Sequence, residues 1–169
     1  MQELADEFGF TKPALYYYIS SKEQMLIDMA AESYRNLLQN LETVTQTTTD
    51  PAKQIAIVIQ SHVAEATSDA APLMVLEPTD HPDNPKFQKV VRAMSSEYAR
   101  GVAAILQRGI DEGSFNPSLD THVVSLAITG MCAWTARWFR EAGRLTRDEI
   151  ADQFAMVILD SIRPVRGSR

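Results

Sequence analysis

Cysteine and long apolar runs are scarce in this 169-residue chain, and each scarcity excludes a class of protein. The single cysteine, Cys132, leaves no internal disulfide and no Cys-x-x-Cys metal site, so a reducing cytoplasm is the expected location. The longest apolar stretch, Val123–Ala136, is interrupted by hydroxyl side chains and is shorter than the ~20 residues that span a bilayer. No basic and then apolar leader follows Met1, so we expect no signal peptide.

Excess positive charge and the common catalytic motifs are also absent. The net charge of −6 argues against non-specific coating of nucleic acid, although a small DNA-reading segment on an acidic body remains compatible with it. The chain contains no G-x-S-x-G, Walker loop, dinucleotide fingerprint or H-E-x-x-H, so we expect no enzyme, no catalytic residue and no cofactor. Neither His62 nor the stretch Asp80–Asp83 offers the three or four convergent ligands of a metal site, and none is predicted.

Helical patterning recurs along the chain, and strand-like alternation is almost absent. Caps, glycines and prolines divide the sequence into about eight helices, which predicts an all-α protein. A polar, threonine-rich stretch over 43–49 is predicted to be a linker. The predicted helices cover roughly Gln2–Phe8, Thr11–Ile19, Ser21–Leu41, a helix from Pro51 through Ala66, a short segment from Pro72 to Pro78, Lys86–Glu112, Ser118–Arg140 and Thr146–Arg163.

The stretch from Leu4 to Leu26, LADEFGFTKPALYYYISSKEQML, carries the clearest functional signal. Two short helices meet at Gly9, where glycine permits the positive φ of a sharp turn. In a helix-turn-helix, the second helix enters the major groove and its first residues meet base edges. Thr11, Lys12 and Pro13 occupy that position and offer a hydroxyl, a cation and a small apolar surface. The alternative is that these segments are an ordinary amphipathic helix pair.

This stretch resembles the signature of the TetR family of transcriptional regulators, roughly I-A-x-x-A-G-V-S-x-x-x-L-Y-x-H-F-x-S-K-E-x-L. Leu4-Ala5, Leu15-Tyr16 and Ser21-Lys22-Glu23 match it, whereas Tyr18-Ile19 replace H-F. The resemblance implies a DNA-binding region with its connecting helix over 1–41 and a ligand-binding and dimerisation domain over 42–169. The family has a further helix before the position of Leu4, so we expect a truncated DNA-binding region. The implied DNA contacts are Thr11, Lys12, Pro13, Tyr16, Tyr17, Tyr18 and Lys22.

The same resemblance implies a homodimer joined by the last two long helices, 118–140 and 146–163, and an effector pocket among the body helices. The stretch GMCAWTARWFR resembles one in TetR-type regulators of lipid, acyl-CoA or steroid breakdown, so the effector is predicted to be acyl-CoA or lipid-derived. The alternative for Trp134 and Trp138 is a place in the core or the dimer interface. The predicted effector contacts are Val58, His62, Met74, Met94, Tyr98, Met131, Trp134, Arg137 and Trp138.

Together these features predict a repressor that binds operator DNA as a dimer and is released by a small hydrophobic or acyl-CoA-like effector. The alternative function is a helical, dimeric small-molecule sensor that does not bind DNA in this form. The missing first helix is the best support for that alternative. The DNA-reading segment, with Glu3, Asp6, Glu7 and Glu23 against only Lys12 and Lys22, is also not basic, so its attraction to phosphate is expected to be weak.

Overall fold

The computed structural model describes residues 11, 13, 22–68 and 85–164, and these ranges contain five α-helices and no strand. The all-α class is therefore confirmed. The helices predicted before Ser21, apart from the positions of Thr11 and Pro13, and the segment from Pro72 to Pro78 lie outside the described residues. In chain order the helices are α1 (Lys22–Thr47), α2 (Pro51–Ala66), α3 (Pro85–Asp111), α4 (Thr121–Trp138) and α5 (Arg147–Ile162).

Helix α1 is longer than the sequence predicts, and the linker predicted over 43–49 is largely wrong. The helix continues to Thr47, and the hydroxyls of Thr43 and Thr47 donate to carbonyls four residues earlier. Val44 is buried and extends the apolar stripe of Leu37 and Leu41 by one turn. Burial of Val44 in the core thus outweighs the weak helix preference of threonine.

Helices α2 and α5 begin at the caps that the sequence predicts. Asp50 accepts hydrogen bonds from the Ala52 and Lys53 amides at 2.9 and 3.3 Å. Thr146 and Glu149 form a capping box, in which each side chain accepts from the other residue's amide. The backbone amide of Thr146, followed by its side chain, holds the pKa of Glu149 below its usual value.

The boundaries of α3 and α4 show one close agreement and one correction. Helix α3 ends within a residue of its predicted limit, and Gly113 follows in the left-handed region at φ 75. Helix α4 begins at Thr121 rather than near Ser118, because Asp120 is its N-cap. Asn116 instead accepts from the amide and hydroxyl of Ser118 and stabilises a separate turn. Helix α4 also ends at Trp138, two residues before the predicted end.

Helix α2 is the centre of the packing, because it contacts each of the other four described helices. Its fully buried residues include Ile55, Ile59 and Val63, which belong to a core that continues through α3, α4 and α5. A second, smaller cluster joins the N-terminal halves of α1 and α3. That cluster consists of Ile27, Ala30, Phe87 and Val91.

A close approach at Gly109 fixes the turn that follows α3. Phe115 packs against this glycine, and a Cβ at position 109 would overlap the phenyl ring. We expect Gly109→Ala to lower the free energy of unfolding by about 1–3 kcal/mol, because a buried ring must shift. Urea unfolding measures this, with Ser96→Ala, exposed on the same helix, as a control expected to change it by less than about 0.5 kcal/mol. Because alanine is favoured over glycine within a helix by about 1 kcal/mol, a Gly109→Ala protein more stable than its parent by that amount would show that Phe115 does not pack there.

Candidate effector and dimerisation sites

The predicted DNA contacts fall mostly outside the described residues. Thr11 and Pro13 are exposed, and Pro13 is helical. Lys22 is the first residue of α1. Lys12 and the three tyrosines, Tyr16–Tyr18, are not among the described residues. DNA contact by these side chains therefore stays a prediction from the sequence.

Four predicted effector contacts lie on the packed helices α2 and α3, and two of them, His62 and Tyr98, are in contact. Val58 and His62 lie one turn apart on α2, and both are buried. Tyr98 is buried on α3, and its ring meets the His62 ring edge-on, with centroids 5.3 Å apart and planes at 72°. Met94 is half-buried one turn before Tyr98. Met74 lies outside the described residues.

The His62 side chain has an unusual environment. It is 3% exposed, and neither ring nitrogen has a hydrogen-bond partner within the part of the chain that the structure describes. Burial lowers the pKa of His62 to about 4, so its imidazole is neutral near pH 7 and has one donor and one acceptor. An unpaired buried polar group costs about 1–3 kcal/mol, so a position with this geometry requires an explanation.

The groups around Tyr98 are held in their protonated forms. Burial, and then the proximity of Cys132 and Tyr34, raises the pKa of Tyr98. Burial also raises the pKa of the Cys132 thiol to about 12. A thiol in that state is a weak nucleophile, so Cys132 acts as a small buried residue. Tyr98 and Cys132 are therefore polar but uncharged near pH 7.

The other predicted effector contacts lie on the outer side of α4. Trp134 is 60% exposed and Trp138 is 44% exposed, whereas Met131 is half-buried. The Arg137 guanidinium carbon lies 5.1 Å from the centre of the Trp134 ring, a cation–π arrangement. Trp138 contacts Phe154 of α5 edge-on at 6.5 Å. In one chain these side chains are separate from the interior group at His62.

Helix α4 has two different sides. Its inner side is buried through Ser125, Ile128, Cys132 and Thr135. Its outer side exposes large apolar side chains at helical spacing around Gly130, where an added Cβ would meet no atom within 4 Å. Helix α5 also exposes two apolar side chains. We name these residues the α4–α5 apolar set: Val123, Leu126, Gly130, Trp134, Trp138, Met156 and Val157.

Two features were not found by reasoning from the sequence. Gln54 is fully buried at the start of α2. Its side chain donates to the Thr48 carbonyl and accepts from Arg108, so Gln54 connects the residue that follows α1 with the end of α3. A surface groove of about 490 Å³ lies between α1 and α3, beside Leu41 and Gly101. The sequence signals for these two features are a glutamine within an apolar stripe, Gln54, and a glycine in the middle of a helix, Gly101. Across the described residues, no helix combines the length and apolar character that crossing a membrane requires.

Comparison with known proteins identifies the family. The family described as "Tetracyclin repressor-like, C-terminal domain" matches residues 48–162. The chain is 24% identical over 171 residues to the HTH-type transcriptional repressor KstR2 of Mycolicibacterium smegmatis, covering all of this chain and 83% of that protein. The TetR-family regulator PfmR of Thermus thermophilus superposes with a TM-score of 0.82 at 26% identity, over 94% of this chain and 86% of PfmR.

A third similar structure contains ligands. AibR, crystallised in complex with isovaleryl coenzyme A and operator DNA, superposes with a TM-score of 0.76 at 21% identity, over 96% of this chain and 86% of AibR. The fold is thus shared with regulators of known DNA-binding type, and the family match covers more than half of the chain. The chain belongs to the TetR family and is a transcriptional regulator.

Proposed function

We propose that this regulator is a cytoplasmic repressor, not an enzyme, that binds operator DNA as a homodimer and releases it when an acyl-CoA or related lipid-derived effector binds. Residues 1–41 would bind DNA, with Thr11, Lys12, Pro13, Tyr16, Tyr17, Tyr18 and Lys22 as contacts. Residues 42–169 would bind the effector and the second subunit. The observation that carries the proposal is the exposed α4–α5 apolar set.

Exposure of this set favours a second copy of the chain as its partner. Large apolar patches are rare on monomers, and burying one side chain of this size contributes about 1.5–3 kcal/mol. The absence of a side chain at Gly130, in the middle of the α4 stripe, leaves room for a partner helix to approach closely. Packing of α4 and α5 against their copies would form a four-helix bundle. In this arrangement Trp134 and Trp138 belong to the interface.

The interior group is the better supported effector site. Val58, His62 and Tyr98 are buried and Met94 is half-buried, and together they combine apolar side chains with few polar atoms, as the linings of small-molecule sites usually do. The complex of AibR with isovaleryl coenzyme A supports the acyl-CoA class. Met74 and Met131 are further proposed contacts. Arg137 lies beside the exposed Trp134, away from His62, and is proposed to bind the anionic coenzyme A part of the effector rather than its buried part.

A series of contacts connects the proposed effector site with α1, the helix that follows the DNA-reading segment. Tyr98 contacts His62, and Gly101 lies one turn further along α3. Leu41 of α1 packs so closely on Gly101 that a Cβ there would overlap it. Since α1 begins at Lys22, beside the predicted DNA-reading segment, a shift of α3 would change the angle of α1. An effector that binds one such arrangement better would alter DNA affinity.

Fluorescence anisotropy tests the proposal, using a duplex from the DNA that precedes the coding sequence. We expect saturating octanoyl-CoA to weaken DNA binding by about 5- to 150-fold, whereas free coenzyme A leaves it unchanged. The measurement is made on this chain and on an N-terminally extended one. If neither binds DNA while octanoyl-CoA still binds, the protein is instead a sensor that does not contact DNA.

A further inference from the structure

His62 occupies a position where an apolar side chain would be expected. It lies within a buried stripe of α2, one turn from Val58 on one side and from Ala66 on the other, and all three are buried. Leucine has a similar volume and would leave no unpaired polar atom in this site. Two unpartnered nitrogens therefore make the folded chain less stable than leucine at the same position would. Since neither nitrogen has a partner among the described residues, a bound ligand could supply the missing hydrogen bond.

The surroundings of His62 define the chemistry of that missing partner. Tyr98 meets the imidazole edge-on and restricts its rotation. Val58 lies one turn before His62 on α2, and Met94 lies one turn before Tyr98 on α3. Tyr98, which contacts His62, and Cys132, which lies beside Tyr98, are both neutral at pH 7, because burial raises both pKa values. A charged partner would therefore be desolvated without an opposite charge, at high energetic cost. A neutral carbonyl or hydroxyl inside an apolar ligand fits better.

We infer that the N–H of the neutral His62 ring donates a hydrogen bond to a carbonyl oxygen within the buried part of the effector. In the acyl-CoA class this oxygen is that of the thioester, so the inference rests on the function proposed above. The neutral imidazole supplies the donor without placing a charge in the core. Tyr98 acts as a positioning residue through its edge contact with the ring.

A pair of ligands that differ at the carbonyl tests this contact directly. Octanoyl-CoA has the thioester carbonyl, whereas S-octyl-CoA, a thioether, replaces it with a methylene. By isothermal titration calorimetry we expect the parent protein to bind the thioester about tenfold more tightly than the thioether, as one hydrogen bond implies. We expect His62→Leu to bind the two ligands equally, because the donor is gone.

Two controls separate recognition from packing. Val63→Ala, at a fully buried apolar neighbour on α2, is expected to weaken both ligands alike and keep the tenfold preference. Thermal unfolding of the ligand-free proteins provides the second control. We expect His62→Leu to unfold at a higher temperature than the parent, since two unpaired polar atoms are removed.

The results of these experiments distinguish a ligand contact from a packing role for His62. A tenfold preference that persists in His62→Leu, or a lower unfolding temperature for that variant, would make His62 a packing residue and overturn the inference. Release of operator DNA by octanoyl-CoA would then still support the proposed function. If octanoyl-CoA neither binds the parent nor releases DNA, the acyl-CoA class is wrong and the inference fails with it.

Discussion

Replacing both Leu126 and Val157 with glutamate is expected to convert the dimer into monomers and to weaken operator binding by about 100-fold or more. Both residues are at least half exposed in the single chain, so neither substitution places a charge in the core of one subunit. At the proposed interface, however, the carboxylates of both copies would be buried without partners. Because a dimer gains effective concentration by holding two DNA-reading segments together, a monomer loses that advantage.

Sedimentation velocity and operator titrations measure the two consequences separately. The control carries Ala93→Glu and Ser96→Glu, which add the same charge at exposed positions on α3. We expect the control to remain dimeric and to bind DNA as the parent does at physiological salt. A dimeric Leu126→Glu, Val157→Glu protein would show that the subunits meet elsewhere.

Mild acid is expected to destabilise the folded chain through His62 by about 3 kcal/mol between pH 6.5 and pH 4. Burial lowers the pKa of this histidine from 6.5 to about 4, so in this window the unfolded chain binds a proton that the folded chain does not. The contribution of His62 is therefore fully present above pH 6.5, decreases as the pH falls, and becomes constant below about pH 4. Urea unfolding across this range measures the slope.

Two substitutions identify the group responsible for the slope. His62→Leu is expected to remove this part of the pH dependence, because leucine does not titrate. His122→Gln, at an exposed histidine of α4, is expected to keep the slope of the parent. If His62→Leu and the parent lose stability in parallel, His62 is not held neutral by burial.

Local signals in the sequence correctly predicted the starts of most of the five described helices. The Asp50-Pro51 cap and the Thr146–Glu149 capping box each lie within six or fewer consecutive residues. Their geometry therefore does not depend on distant contacts. Gly113 similarly marks the end of α3. Such short-range patterns can be predicted from one sequence, because hydrogen bonds to the first amides of a helix involve only neighbouring residues.

Long-range packing decided the features that the sequence did not reveal. Helix α1 passes through its threonine-rich end because Val44 is buried by other helices. The sequence also could not separate His62 from Trp134: both occur in apolar helical patterns, but one is in the interior and the other is exposed. Periodicity identifies a face, whereas only the arrangement of helices shows what covers that face.

The interior at His62 and the exposed side of α4 have different proposed roles within one helical body. Tyr98 and Cys132 connect the two regions, since Tyr98 lies on α3 and Cys132 lies on the inner side of α4. An effector at His62 would thus lie beside the helix that carries the proposed interface. Under the proposed function, one small molecule bound there would influence both the angle of α1 and the spacing of the two subunits.

Native mass spectrometry of the protein mixed with its operator duplex, before and after addition of octanoyl-CoA, tests effector-controlled DNA binding by a dimer most directly. We predict one duplex bound to two chains of 18.8 kDa each. After octanoyl-CoA is added, free duplex and a two-chain species with bound effector should replace that complex. A duplex bound by a single chain, or a two-chain complex that keeps both duplex and effector in full, would contradict the prediction.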